Sequence, residues 1–424
     1  MKKTCILSCL VFLAPGMLWA QATDNTQERL KALEERIIAL EAEIRALKAG
    51  QASPPAESAA APTVGPPATV STALAPTATQ VPAAAPGPSL AQLPVYSGES
   101  DTAKVFNPAI SVIGDFLGAV GRDPIHSMPA LDMHESEIGF QATVDPYARA
   151  DFFVSIGSEG VELEEGYLTF TSLPGGFVAK VGKMRSGFGV VNALHSHSLP
   201  WTDRPLVTEH LVGGHEGLSD AGFSVSRILP APKDVFLEAT AQVFRGDAGD
   251  VFTATRRGDI AFVGRLRAYR DLTESTNLDL GFSYARGHND VGTAFITQLY
   301  GLDATFRWKP LRRAIYHNFL GRAELVWSRR QQEFSIQRAF GFYTSADYRL
   351  SRRWTIGGRY DRSDRARNAL LTDSGFAPVI TYWPSEFSQI RGQYRFTRYA
   401  DGRSGNDLLF QFLFVLGAHG AHPF

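Results

Sequence analysis

The chain has 424 residues, 42 Lys and Arg against 43 Asp and Glu, a formal net charge of −1 and 44% hydrophobic residues. So balanced a charge excludes a nucleic-acid partner held by a basic surface. The only two cysteines, Cys5 and Cys9, lie in the first segment, which excludes a disulfide framework or a cysteine-ligated metal from the rest.

Residues 1–22 read as a secretory signal peptide. Lys2 and Lys3 precede the apolar stretch Cys5 to Leu13, and small residues end at Ala20-Gln21-Ala22, an A-x-A cleavage pattern. Residues 23–49 read as a coiled coil, because Leu30, Leu33, Ile37, Leu40, Ile44 and Leu47 recur at alternating spacings of three and four. In a parallel assembly the flanking charges pair as Arg29 with Glu34, Arg36 with Glu41 and Glu43 with Lys48, all of opposite sign. "RLKALE" and "RIIALE" resemble the Arg-h-x-x-h-Glu pattern of parallel trimeric coiled coils. The other reading of this segment is a lone amphipathic helix lying on its own barrel. Residues 50–103, rich in Ala, Pro, Thr and Ser with almost no charge, form a linker that cannot bury a core.

From Lys104 to the end, residues 104–424, segments of alternating polarity are separated by turn residues. The pattern predicts strands near 107–118, 134–144, 148–157, 162–171, 176–186, 218–228, 235–244, 259–269, 277–286, 297–308, 317–328, 338–349, 353–361, 376–383, 387–397 and 407–417. No stretch after the leader approaches the run of apolar residues that a membrane-crossing helix needs. An exported chain of about 16 strands, with aromatics on one face and charges on the other, is expected to be an all-β transmembrane, antiparallel β-barrel. Tight connections such as "VDPYA", "LPGG" and "PSE" alternate with longer polar ones. The final "DLLFQFLFVLGAHGAHPF" supplies the closing strand and a C-terminal aromatic, which resembles the C-terminal signal of Gram-negative outer-membrane proteins.

The layout of leader, coiled coil, linker and barrel resembles the trimeric porins that carry a periplasmic N-terminal coiled coil. A narrower likeness rests on "FNPAISVIGDF" (106–116), "ATVDPYARADF" (142–152), "VELEEGYLTFTSLPGGFVAKVGKMRSGFG" (161–189), "NALHSHSLPWTDRPLV" (192–207) and "LGAHGAHPF". These resemble a group of outer-membrane proteins, some labelled zinc-regulated receptors, and that likeness implies metal-linked uptake. The chain departs from energised receptors, since no plug domain precedes the barrel and the length is too small for 22 strands.

Charge is unevenly spread: residues 1–250 hold 17 Lys and Arg against 28 Asp and Glu, and residues 251–424 hold 25 against 15. Strand alternation assigns Arg265, Arg267, Arg307, Arg322, Arg359, Arg391 and Arg395 to the lumen, with Glu135, Glu137, Asp151, Glu165 and Glu238 facing it from earlier strands. Such a pattern predicts a transverse field across the water path, or, alternatively, arginines paired structurally along the wall. The loop between strands 5 and 6, Gly187 to Gly217, is expected to fold inward. In it His195 and His197 form a His-x-His that places two imidazoles toward one ion if the loop is extended, with Asp203 completing the site. The alternative is that these histidines are solvated or bonded to neighbours. His419 and His422 form a second pair.

These features predict a homotrimeric porin in the outer membrane of a Gram-negative bacterium, with its coiled coil in the periplasm. It would pass small hydrophilic solutes passively, with a weak anion preference. The alternative is a zinc-linked uptake channel or receptor, in which zinc would be the one cofactor. Enzyme chemistry is not expected: Ser196 and Ser198 flank His197 with no nucleophile elbow or supporting acid. An adhesin would call for long repetitive loops.

Overall fold

Sixteen antiparallel strands close on themselves, each paired with its neighbours in sequence and the last paired with the first. The computed structural model describes residues 108–417 except Ser127 and Glu159. The leader, coiled coil, linker and the His419/His422 pair lie outside the described residues. The strands are β1 (Ala109–Arg122), β2 (Leu131–Asp145), β3 (Ala148–Gly157), β4 (Gly160–Leu173), β5 (Phe177–Arg185), β6 (Ser219–Leu229), β7 (Val235–Phe244) and β8 (Ala261–Thr273). They continue as β9 (Thr276–Asn289), β10 (Gly292–Trp308), β11 (Asn318–Gln331), β12 (Ile336–Arg349), β13 (Trp354–Arg365), β14 (Asn368–Ser385), β15 (Ser388–Arg398) and β16 (Ser404–Gly417). Every predicted strand is present and in order. The closing seam runs from Ser111 opposite Gly417 to Arg122 opposite Asn406, so the C-terminal apolar run is the strand that seals the barrel.

The expectation of longer polar loops at one end holds for 123–130, 186–218 and 245–260 and is corrected elsewhere. Residues 290–291 and 366–367 are two-residue connections, because the strands extend beyond their predicted ends. β14 begins at Asn368, eight residues before the expected start. Past the apolar belt, period-2 alternation continues in polar residues, and a hairpin needs only its ladder hydrogen bonds there. The tight end behaves as expected, with Pro174–Gly176 turning the chain on a Gly175 φ of 77°.

The two faces are inverted relative to a sandwich core. Outward side chains such as Phe262, Phe282, Phe376, Phe396 and Phe410 are exposed, while Asp115, Glu137, Asp279, Arg359 and Asp361 are buried on the inner side. Apolar outside and ionised inside is stable only where the outer surface meets lipid, and strand closure pairs the backbone groups that an open edge would leave bare. On β11 and β12, Phe319, Ala323, Leu325, Trp327, Phe340, Phe342, Ala346 and Tyr348 follow the same outward alternation, opposite the buried Glu324, Val326, Ser328 and Tyr343.

Candidate functional site

The connection between β5 and β6, residues 186–218, lies inside the barrel; it is called the inner loop below. Its base is closed by the Ser186 amide, which donates to the Leu218 carbonyl at 2.7 Å. Buried Asn192 donates through Nδ2 to the Ser186 and Leu218 carbonyls and accepts from the Leu218 amide at 2.7 Å. Gly189, at φ 65°, lets the chain pass Glu324 so closely that a Cβ would sit 2.7 Å from its Oε2. Glu324 Oε1 then accepts the amides of Val190 and Val191 at 2.6 and 2.8 Å. From the same stretch of wall Arg265, which also bonds Asp303, donates to the Gly189 carbonyl at 2.6 Å.

The next stretch faces an acidic wall. His195 Nδ1 lies 2.8 Å from Glu137 Oε2 and 3.0 Å from Glu164 Oε2, and its Nε2 lies 2.8 Å from Glu165 Oε2. Burial alone would push this imidazole down, but the charge of Glu137 and the contacts with Glu137, Glu164 and Glu165 hold it well above its ordinary value. His197 Nδ1 is 3.8 Å from the same Glu137 oxygen. Arg185 at the end of β5 bonds Glu164 at 2.6 Å and donates its amide to Glu165 at 2.7 Å.

The following stretch faces a basic wall. Trp201 is fully buried, with the Arg359 guanidinium 4.8 Å from its ring and the Tyr343 ring edge-on at 5.2 Å. Arg391 donates to the Trp201 carbonyl at 3.0 Å. Asp203 receives Arg359 at 3.0 Å and Gln393 at 2.6 Å, with Arg395 at 3.5 Å. Burial raises its carboxyl, but Arg359 and then Arg395 outweigh that and leave it below the ordinary value. After Pro205 the loop forms a single helical segment, α1 (Leu206–Leu211), whose Val207 fits where Gly341 of β12 carries no side chain. Glu209 of α1 is tied to His126, in the connection after β1, at 2.6 Å.

Placement of the predicted residues is therefore mixed. All twelve proposed lumen residues, Arg265, Arg267, Arg307, Arg322, Arg359, Arg391, Arg395, Glu135, Glu137, Asp151, Glu165 and Glu238, lie on the inner face. The arginines form no bare ladder. Arg265 pairs with Asp303, Arg267 with Asp279, Arg322 with Asp347, Arg359 with Asp361 and Arg395 with Asp407, at 2.7 to 2.9 Å. The grouping of His195 and His197 with Asp203 is corrected. The loop coils into a 3-10 turn at Ser196–Ser198 instead of extending, which turns the histidines to β2 and β4 and leaves Asp203 with the arginines of β13 and β15.

Glu164, Arg185 and Trp201 were not foreseen. Glu164 is the extra residue of a bulge, since Phe153 opposes Glu165 while Val154 opposes Leu163. A bulge puts two successive side chains on one face, which strict alternation forbids; the visible signal was the Glu164-Glu165 pair in an otherwise alternating strand.

No family model matches this sequence. An uncharacterized protein of Aquifex aeolicus (strain VF5) is 29% identical over 397 residues, covering 78% of this chain and 83% of that one. Among solved structures, the anion-selective porin from Comamonas acidovorans superposes with a TM-score of 0.52 at 10% identity, over 73% of this chain and 99% of that chain. The fold is that of an outer-membrane β-barrel. OprB of Pseudomonas putida gives 0.51 at 7% identity, over 74% and 94%. A loop L8 deletion mutant of OmpT, an outer-membrane protein of Vibrio cholerae, gives 0.50 at 11% identity, over 73% and 99%.

The lining of the barrel differs in character on the two sides of the inner loop. On the loop-bearing side, a cavity of about 570 Å³ is lined by Glu209, His210 and His215 of the loop with Asp250, Arg330, Arg365 and Arg367 of the rim. Toward the tight-turn end, the inner face carries Arg149, Lys180, Arg267, Arg307, Arg322 and Arg349 against Asp151, Glu238, Asp271, Asp279 and Asp347. Cations are in excess there, and among the described residues Arg349 has no carboxylate partner within 4.0 Å.

Proposed function

We propose that this protein is an outer-membrane channel through which small hydrophilic solutes diffuse passively, narrowed by its inner loop and weakly anion-preferring. The observation that carries this reading is the inward-folded loop set in an ionised lumen: a charged, polar wall suits hydrated solutes, and a fixed constriction sets their size. The excess of arginine and lysine toward the tight-turn end supports the anion preference, in place of the paired arginines around the loop. The proposal includes location in a Gram-negative outer membrane and a homotrimer held partly by the heptads of residues 23–49 in the periplasm.

The test is a planar-bilayer recording of the purified full-length protein. Small conductance steps, grouped in threes for a trimer, are expected, with a salt-gradient reversal potential displaced toward the anion. A monomer without conductance overturns the channel, and a cation-displaced potential overturns the preference. Zinc-linked uptake through the same barrel is a second reading, favoured by the His195 cluster; it requires zinc flux that other divalent ions do not reproduce.

A further inference from the structure

We propose that Glu137, Glu164 and His195, with His197 beside them, form a binding site for one divalent transition-metal ion of the zinc class, which would fasten the inner loop to β2 and β4. This does not depend on the channel reading. The ligand atoms of Glu137, Glu164 and His195 lie within 4.8 Å of one another, and so do those of Glu135, Glu137 and His197, so Glu137 is common to both sets. The separations of 2.8 and 3.0 Å from His195 Nδ1 to the two carboxylate oxygens are hydrogen-bond lengths, and a spread of about 0.5 Å brings these atoms to the ligand spacing of a tetrahedral ion with bonds of about 2.1 Å.

Three observations beyond proximity point to a cation. Glu137 is 3% exposed, and its Oε2 faces both imidazoles, 2.8 Å from His195 Nδ1 and 3.8 Å from His197 Nδ1. The contact of Glu165 with His195 Nε2 at 2.8 Å places a carboxylate behind the ring, the arrangement that fixes the tautomer and turns the Nδ1 lone pair toward a metal. Third, Glu135, Glu137, Glu164 and Glu165 gather around few cations. Arg185 shares Glu164 Oε2, which has a second lone pair, and Arg204 is buried nearby. The Ser155 hydroxyl lies between Glu135 and Glu164, yet its single proton serves only one of them. Imidazole in the ligand set favours zinc-class ions over calcium or magnesium, which take oxygen.

In the absence of metal a proton on His195 is the competitor, so binding releases protons and weakens as pH falls. The test uses full-length protein in detergent, stripped with EDTA and titrated with ZnCl2 by calorimetry, with MgCl2 in parallel. One zinc ion per chain is expected, with proton release, and X-ray absorption of the loaded protein should show a nitrogen and oxygen shell. H195A is expected to raise the zinc Kd by at least about 100-fold, more than loss of an outer-shell partner costs. H288A, on β9, keeps wild-type affinity. Heat-modifiable mobility shows that each variant is folded. Absence of zinc binding to the wild type, zinc and magnesium binding alike, or an H195A variant that is folded and binds normally overturns the proposal. Conductance that persists in EDTA leaves the channel reading untouched.

Discussion

The two halves of the inner loop are held by opposite chemistries. Its first half carries His195 and His197 to the glutamates of β2 and β4. Its second half carries Asp203 and Trp201 to the arginines of β13 and β15. The uneven charge along the sequence thus becomes two walls, and the loop presents to each the charge it lacks. The transverse field expected from strand charges alone is largely consumed in seating the loop. The halves also differ in packing: the second has a buried indole and a helix among its contacts, whereas the first buries Phe188, Val191 and Leu199 and adds the ionic contacts of its histidines.

That contrast is most directly broken at Trp201. Trp201→Ala leaves a large void beside Tyr343 and Arg359 and is expected to cost about 3–5 kcal/mol, read as a lower unfolding midpoint together with larger single-channel conductance. If conductance stays unchanged, the basic wall does not hold the constriction. Asp203→Asn should act in the same direction but less, about 1.5–3 kcal/mol, because Arg359 keeps Asp361 and Arg395 keeps Asp407. A change as large as that of Trp201→Ala would show that charge, not packing, dominates this half.

A third change tests selectivity away from both anchors. Arg307→Glu with Arg349→Glu reverses charge toward the tight-turn end and should lower the anion-to-cation permeability ratio about twofold or more, measured by reversal potential at low salt where the field is least screened. Charge reversal at Arg391 and Arg395 is the poorer test, since both bond the loop or its partners and the barrel would be disturbed with the field.

The smallest effect concerns pH. The hydrogen bond to Glu209 raises the His126 imidazole above its ordinary value. Asp123 acts in the same direction, while burial and Arg395 act against it. A raised folded-state value means that this link contributes fully below the unfolded value of about 6.5 and is lost as pH rises through the folded one. Mild alkalinisation should therefore increase current noise in the wild type, and His126→Gln should be noisy at both ends of that range. Equal noise in both proteins at low pH would remove His126 from the loop's support.

Much of this architecture was legible in the sequence, because a barrel strand is written in a period of two and its closure in a terminal apolar run. Strand ends were not, since polar alternation beyond the belt reads the same whether the chain is paired or looped; β14 is the clearest case. The site was half legible. His-x-His marked the right segment, but which wall it meets depends on a 3-10 turn and on a bulge some 30 residues earlier, in β4, and neither has a periodic signature. Asp203 was misassigned because a carboxylate near histidines suggests a ligand, while its guanidinium partners come from distant strands.

Those partners carry a consequence for assembly. Arg359 lies 156 residues after Asp203 in the chain, and Gln393 lies 190 after it. Contacts of such sequence separation form only after most of the chain has been organised. Before β13 and β15 are present, the second half of the loop has no guanidinium to receive its carboxylate. The loop therefore seats late, when the sheet is nearly complete, and a chain truncated before β13 would leave it unanchored. The constriction doubles as a record that the barrel has been finished.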